Sequence, residues 1–245
     1  MQNFIAEPEG FTGATVTIDG DEHFHATRSC RVRPGEIIGV SDGAGKRVEA
    51  RITDIESRSL TATIIRDLSG LGELSFATTV ALSLIKPARF ELAAEKCTEL
   101  GMRRIVPVTA RRCTVGSAKF NTDRIRRIVR EAAKQSGRSW IPEVAAPTTV
   151  EDIVAEAGGL VLAALTDAEE TVAEVIAGLT GAGPVTVVIG PEGDFTDEER
   201  DILVAGGARP VNLGGLTLRA ETAAIVTFAT VAGADRARSR HVGTG

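Results

Sequence analysis

Two glycine-rich turns carry the residues best suited to chemistry: GPEGDF at 190–195 and LGGLTLRAET at 213–222. Each follows a short run, VTVVIG and PVNLG, that reads as a strand. At the carboxyl ends of strands in an open parallel sheet, chain reversals leave backbone groups free for a ligand. Glycines at 190, 193, 214 and 215 permit positive φ and let the main chain approach a flat base closely. A nucleotide phosphate is a poor guess, because neither turn has GxGxxG or GxxxxGK[ST]. Glu192 and Asp194 would also repel a pyrophosphate. A ligand with a cationic centre and an adenosine body suits these turns better; the plainer alternative is two tight turns and a helix cap. The second turn leads into Arg219-Ala220-Glu221-Thr222, which sets a cation and a carboxylate side by side. That pair is either chemical or a salt bridge capping the last helix.

The elements that must position these turns alternate from Thr79 onward. Strands are expected at 79–85, 104–108, 160–165, 185–190 and in PVNLG. Helices are expected at about 88–100, 122–136, 168–179, after Thr196, and at 220–234, with stop glycines at 101, 137 and 206–207. Thr148 with Glu151 and Thr196 with Glu199 have capping-box spacing. The alternation implies a mostly parallel sheet covered on both faces, an α/β fold. Up to residue 66 the text is different: ATVTI, EIIGV, RVEARITDI and SLTATII are short strands broken by turns, which predicts a small β-barrel or sandwich. SDGAGKR reads as a hairpin turn, and His23 and His25 share one side of an expected strand. DLSGLGELS at 67–75 reads as a linker with few anchors, and DRARSRHVGTG as a frayed tail.

Composition excludes whole classes. The 245 residues are 43% hydrophobic and 25% charged, with a mean hydropathy of +0.06 and no apolar run near the ~18 residues a bilayer requires. Acids in MQNFIAEPEG stand where a secretory signal would be basic, so a cytoplasmic protein is expected, with no membrane partner. Cys30, Cys97 and Cys113 are far apart and odd in number, which signals neither a disulfide framework nor a metal site. The formal net charge of -5 hides a polarised stretch: residues 86–138 hold fourteen Lys/Arg against five Asp/Glu. In NTDRIRRIVREAAKQSGR, Ile125, Ile128, Val129 and Ala132 recur at helical spacing and turn Arg124, Arg127, Arg130 and Lys134 away from the core. The stretch is a solvated helix face or a footprint for a polyanion.

IGPEGDFTDEE followed by NLGGLTLRAETAA resembles the paired C-terminal signature of the bacterial 16S ribosomal RNA (uracil-1498-N3) methyltransferases, of the SPOUT class. LIKPARFELAAEKCTELGMRRIVPV is similar to the family's segment after its first catalytic-domain strand, and REAAKQSGR with Trp140-Ile141-Pro142 to its central helix and exit. HATRSCRVRPGEIIGVSDGAG is similar to the family's PUA-like β-barrel, with Arg31 and Gly35 at matching positions. The resemblance covers nearly the whole chain. It departs at Asp194, where a second glycine is usual, and at Gly215-Leu216, where Pro or Lys followed by Arg is frequent.

The resemblance implies a PUA-like RNA-binding barrel at 1–70, a SPOUT methyltransferase domain with a deep trefoil knot at 76–236, and a flexible tail at 237–245. It implies S-adenosylmethionine held by Leu165, Gly190, Glu192, Gly193, Leu213, Gly214 and Leu218, with no metal. It further implies that Arg219 stabilises negative charge on the uracil carbonyls, while Glu221 orients that arginine or takes the N3 proton. Arg31 and the basic helix would hold phosphates of the 16S RNA in the small subunit, and a second subunit would complete the site. Other SPOUT reactions (a ribose 2'-hydroxyl or a transfer RNA base) and a non-catalytic RNA-binding protein are the alternatives. A dehydrogenase is disfavoured by the missing dinucleotide fingerprint.

Overall fold

The computed structural model describes residues 1–177 and 183–242, with side chains described through Asp235. The chain divides into two compact units, Met1–Glu73 with Arg130–Ile141, and Leu74–Val129 with the residues from Pro142 on.

In the first unit, β1 (Gln2–Ile5), β2 (Phe11–Thr12), β3 (Thr15–Asp19), β4 (Ile37–Ser41), β5 (Arg47–Ile55) and β6 (Ser59–Asp67) form one sheet in the order β1-β4-β5-β6-β3-β2. Only the β1–β4 pair is parallel. Side chains alternate across a strand. Val16 and Ile18, Ile38 and Val40, Val48, Ala50 and Ile52, and Leu60 and Ala62 therefore point to one core, which they share with Phe4. The β4–β5 hairpin turn is held by Asp42, whose Oδ1 accepts the N–H groups of Ala44 at 2.7 Å and Lys46 at 3.0 Å.

Two expectations fail here. Residues 20–29 are helical: α1 (Gly20–Phe24) runs into a π-helical turn at His25–Ser29. The buried pair is His23 and Ala26, three apart, whereas the 23/25 alternation had suggested a strand. The His23 ring nitrogen meets the Glu56 carbonyl at 3.1 Å, and His25 Nε2 lies 3.5 Å from Cys30 Sγ. The 67–75 stretch is anchored as well. Glu73 forms a buried ion pair with Arg138 at 2.7 Å, and Ser75 N–H donates to Asp235 Oδ2 at 3.0 Å.

The second unit is built on a sheet whose pairings are all parallel: β7 (Thr78–Ser83), β8 (Arg104–Thr109), β9 (Glu143–Val144), β10 (Thr148–Thr149), β11 (Leu160–Ala164), β12 (Val185–Ile189) and β13 (Arg209–Val211). Its order is β10-β8-β7-β12-β11-β13, with β9 beside β8. All five residues of β12 are buried, as a strand covered on both faces requires. α2 (Pro87–Leu100) ends at Gly101, φ +116. α3 (Thr122–Ser136) buries Ile125, Val129, Ala132 and Ala133, and Gly137 at φ +67 ends it.

α4 (Val150–Glu156) is capped by Thr149, whose side chain accepts the Asp152 N–H. The cap is one residue later than Thr148 and Glu151 had suggested: both threonines lie in β10, and Thr149, its last residue, directly precedes the helix. α5 (Val172–Ala177) starts later than expected. Thr171 and Glu174 exchange bonds at its head, and the expected positions 178 and 179 lie outside the described residues. α6 (Asp197–Ala205) has the full capping box of Thr196 and Glu199. α7 (Ala220–Val242) continues past the expected end near 234. α2 and α5 each pack against α7, which also packs against β7 and β12, while α4 packs against α6 and β8.

Candidate functional site

The carboxyl ends of β11 and β12 and the segment after β13 enclose a cavity of about 210 Å³. Both glycine-rich turns line it. Gly190, Glu192 and Asp194 come from the first, Leu213 to Leu218 from the second, with Leu165 after β11 and Ala220 and Ala223 on α7. Six of the seven residues expected to hold a cofactor are thus brought together: Leu165, Gly190, Glu192, Leu213, Gly214 and Leu218. Gly193 is not on the wall; its carbonyl turns to Arg112 Nη1, 2.9 Å away.

Local chemistry explains why the turns hold their shape. The first is pinned by Phe195, fully buried behind it, and by the N-cap of α6. Buried Glu199 accepts the Thr196 N–H at 2.9 Å through Oε2 and the Arg111 N–H at 2.7 Å through Oε1. Asp194 adopts φ +61, and its Oδ1 accepts the N–H of Phe195 at 2.8 Å. Asp is one of the few residues that tolerates this region, through local bonds of this kind. The second turn hangs from Asn212. Its Nδ2 donates to the Ala168 carbonyl at 2.8 Å, and its Oδ1 accepts the Gly214 N–H at 3.1 Å. Gly214, at φ +109, needs to be glycine. Leu216, one of the departures noted above, is 83% exposed at the rim.

Negative charge dominates the wall. Glu192 and Asp194 line it and Glu221 is buried in the first turn of α7, 6% exposed. Arg200 holds Asp167 with two bonds, 2.8 and 2.6 Å, and touches Asp194 at 3.5 Å. Its bonds hold the Asp167 carboxyl below the usual range, and Asp167 in turn raises the arginine. Burial pushes the Cys113 thiol up, and the Cys97 thiol in α2 up to about 12. A cavity walled by glycine main chain, leucine and carboxylates fits an adenosine with a cationic centre.

Glu221 does not orient Arg219. Its Oε1 is 3.6 Å from Arg89 Nε, while Arg219 is exposed, off the cavity wall and without an ion pair among the described residues. Arg89 also donates to Glu192 Oε1 at 3.1 Å. Arg89, Arg112 and Asn212 were not singled out by sequence reasoning. Only the position of Arg89 just inside a helix start could have drawn attention to it.

The expected RNA-facing residues separate. Arg31 is exposed at φ +54, and Arg127 is exposed without an ion pair among the described residues. Arg124 is bound to both oxygens of Glu91, and Arg130 is half-buried, 3.9 Å from Glu22. Lys134 is a correction: it is 9% exposed and pairs with Glu22 at 2.8 Å, so its stem and charge are part of the first unit's interior. Much of the positive stretch is neutralised this way, by acids distant in sequence. Among the described residues no helix is long and apolar enough to cross a membrane.

Residues 72–232 match the family model of an RNA methyltransferase domain, and 18–65 that of an RNA methyltransferase PUA domain. The chain is 35% identical to the ribosomal RNA small subunit methyltransferase E of Mycobacterium bovis over 90% of its length and 87% of that protein. To the protein of the same name from Synechocystis it is 33% identical, over 93% and 76%. The crystal structure of the Neisseria gonorrhoeae enzyme of this name, bound to S-adenosylmethionine, superposes with a TM-score of 0.80 at 27% identity, covering 94% of this chain and 95% of that one. By sequence along both units and by fold, the chain belongs to the RNA methyltransferase family of the ribosomal RNA small subunit methyltransferase E proteins.

Proposed function

We propose that the chain transfers a methyl group from S-adenosylmethionine to N3 of uridine 1498 in the 16S RNA of the small ribosomal subunit. The observation that carries this reading is the single cavity lined by both glycine-rich turns and walled by carboxylates. When bound, S-adenosylmethionine supplies a methyl group already activated by its sulfonium. The main chain at Gly190, Leu213 and Gly214 and the side chains of Leu165 and Leu218 would hold the adenosine. Glu192 would face the cationic end, and the Gly193 carbonyl, held by Arg112, would keep the turn in place. These residues align the reacting atoms and exclude water, which is most of the catalytic work in an in-line transfer.

Uracil N3 carries a proton and needs a base or a stabilising cation before it can attack. Glu221 Oε2 is buried with no hydrogen-bond partner among the described residues, which supports it as the proton acceptor. Arg219, exposed beside it in sequence, would stabilise charge on the uracil carbonyls. Arg31 and Arg127 would grip RNA phosphates, with Arg124 and Arg130 joining if their pairs open. Such contacts must supply the few kcal/mol needed to splay a base from structured RNA.

The reading includes a trefoil knot, supported by the placement of β12 between β7 and β11. It includes a homodimer through the face of α2 and α7 where Leu92 and Val226 are exposed, and action in the cytoplasm. Incubation with labelled S-adenosylmethionine and small subunits from a methylation-deficient strain, followed by nucleoside mass spectrometry, tests it. The expected product is 3-methyluridine. A ribose-methylated nucleoside or labelled transfer RNA would replace the substrate assignment, and absence of cofactor binding would leave an RNA-binding protein.

A further inference from the structure

We propose that Arg89 is a positioning residue that joins Glu192 on the pocket wall to Glu221, buried in the first turn of α7, and fixes which oxygen of Glu221 is left for the substrate. The inference rests on the reading of Glu221 as proton acceptor. Arg89 is the third residue of α2, whose start is set by Pro87; its N–H donates to the Lys86 carbonyl at 2.9 Å. From this first turn the guanidinium reaches two other elements. Nη1 donates to Glu192 Oε1 at 3.1 Å on the turn after β12, and Nε stands 3.6 Å from Glu221 Oε1 on α7. The planar fork of arginine can serve two carboxylates with separate nitrogens, which a lysine ammonium does less well.

The consequence is an asymmetric Glu221. Oε1 is committed to the cation, and Oε2 is buried with no donor among the described residues. A buried carboxylate oxygen without a partner is costly unless a ligand donor completes it. Arg89 thereby fixes the orientation of the Glu221 carboxyl and couples it to the turn that Glu192 belongs to. Without the cation, two neighbouring carboxylates would face each other uncompensated and Glu221 could rotate.

The test compares the full chain with Arg89→Met, Arg89→Lys, Glu221→Gln, Glu192→Gln and the double variants R89M/E221Q and R89M/E192Q. Single-turnover methyl transfer to small subunits and calorimetric titration with S-adenosylmethionine are both read. Arg89→Met is expected to slow transfer by about a hundredfold, a loss of the size general-base catalysis supplies, with KM for the subunit little changed. Arg89→Lys recovers part of the rate. R89M/E221Q is expected to be no slower than E221Q alone, and R89M/E192Q to bind the cofactor no worse than the weaker single variant. Multiplicative losses in both cycles, or an unchanged rate in Arg89→Met, overturn the proposal. If Arg89→Met does not fold, the Lys variant carries the same two cycles. If Glu221→Gln keeps full rate, the proton-acceptor reading fails, and the calorimetric cycle with Glu192 alone decides the clamp.

Discussion

The Arg112 guanidinium donates through one nitrogen to two carbonyls of the same turn, Gly193 at 2.9 Å and Phe195 at 3.2 Å. It holds the outer side of the loop whose inner side lines the pocket. Charged donors to carbonyls contribute more than neutral ones, though partial exposure reduces the gain to about 1 kcal/mol here. Arg112→Ala is therefore expected to weaken S-adenosylmethionine binding about fivefold by calorimetry, with little change in thermal stability. Unaltered affinity would mean that the Phe195 anchor and the α6 cap alone shape the turn.

Asp194 sits at φ +61, and its Oδ1 accepts the Phe195 N–H at 2.8 Å. The left-handed backbone costs roughly 1–2 kcal/mol for a residue with a Cβ. The side-chain bond offsets about 1 kcal/mol of this. Asp194→Gly removes both terms and should leave stability within about 1 kcal/mol. Asp194→Ala keeps the strain and loses the bond, and should be destabilised by about 1–2 kcal/mol. Thermal unfolding of the pair measures the difference, and equal melting temperatures for Ala and Asp would show that the bond contributes nothing.

What the sequence disclosed follows physical locality. β7, β8, β11 and β12 are legible because a buried strand is a short, mainly apolar run, and the Thr196–Glu199 box because its partners are three residues apart. The two turns at 190 and 214 were readable as turns, and their meeting in one pocket follows once the sheet is parallel. Arg89 was not readable, because its partner Glu192 lies 103 positions away and only the packing of α2 beside the strand ends unites them. The same blindness made Lys134 look solvent-facing. Helical periodicity places its Cα, but Glu22, 112 positions earlier, buries its ammonium. Residues 20–29 failed for a different reason, since a short stretch with apolar and histidine residues two apart satisfies a strand as readily as a helix.

Glu73 and Arg138 lie 2.7 Å apart with only 6% of each side chain exposed, and Glu73 also accepts the Ser139 N–H at 2.8 Å. Removing one partner of such a pair strands a charge away from water. Arg138→Met is expected to destabilise the first unit by about 3–5 kcal/mol, measured by urea unfolding. The double variant E73L/R138M should recover most of that loss, because it removes the stranded carboxylate together with the cation. A double variant as unstable as the single one would show that the pair's remaining hydrogen bonds, not its charges, hold this stretch.

The basic residues divide by exposure, and salt dependence can read the division. Arg31 and Arg127 are exposed, whereas Lys134 is 9% exposed and spent on Glu22 at 2.8 Å. Each phosphate contact contributes to the slope of log K against log salt concentration through counterion release. Arg31→Ala and Arg127→Ala are each expected to lower that slope by about 1 and to weaken binding to unrelated RNA sequences equally. Lys134→Ala should leave the slope unchanged and instead lower unfolding stability by about 1–3 kcal/mol, since it leaves the Glu22 carboxylate with the Ile5 N–H at 3.5 Å and the more distant Arg130. Filter-binding titrations from low to high salt separate the two behaviours. A slope that falls in the Lys134 variant as far as in the Arg31 variant would put that ammonium on the RNA and require the Glu22 pair to open on binding.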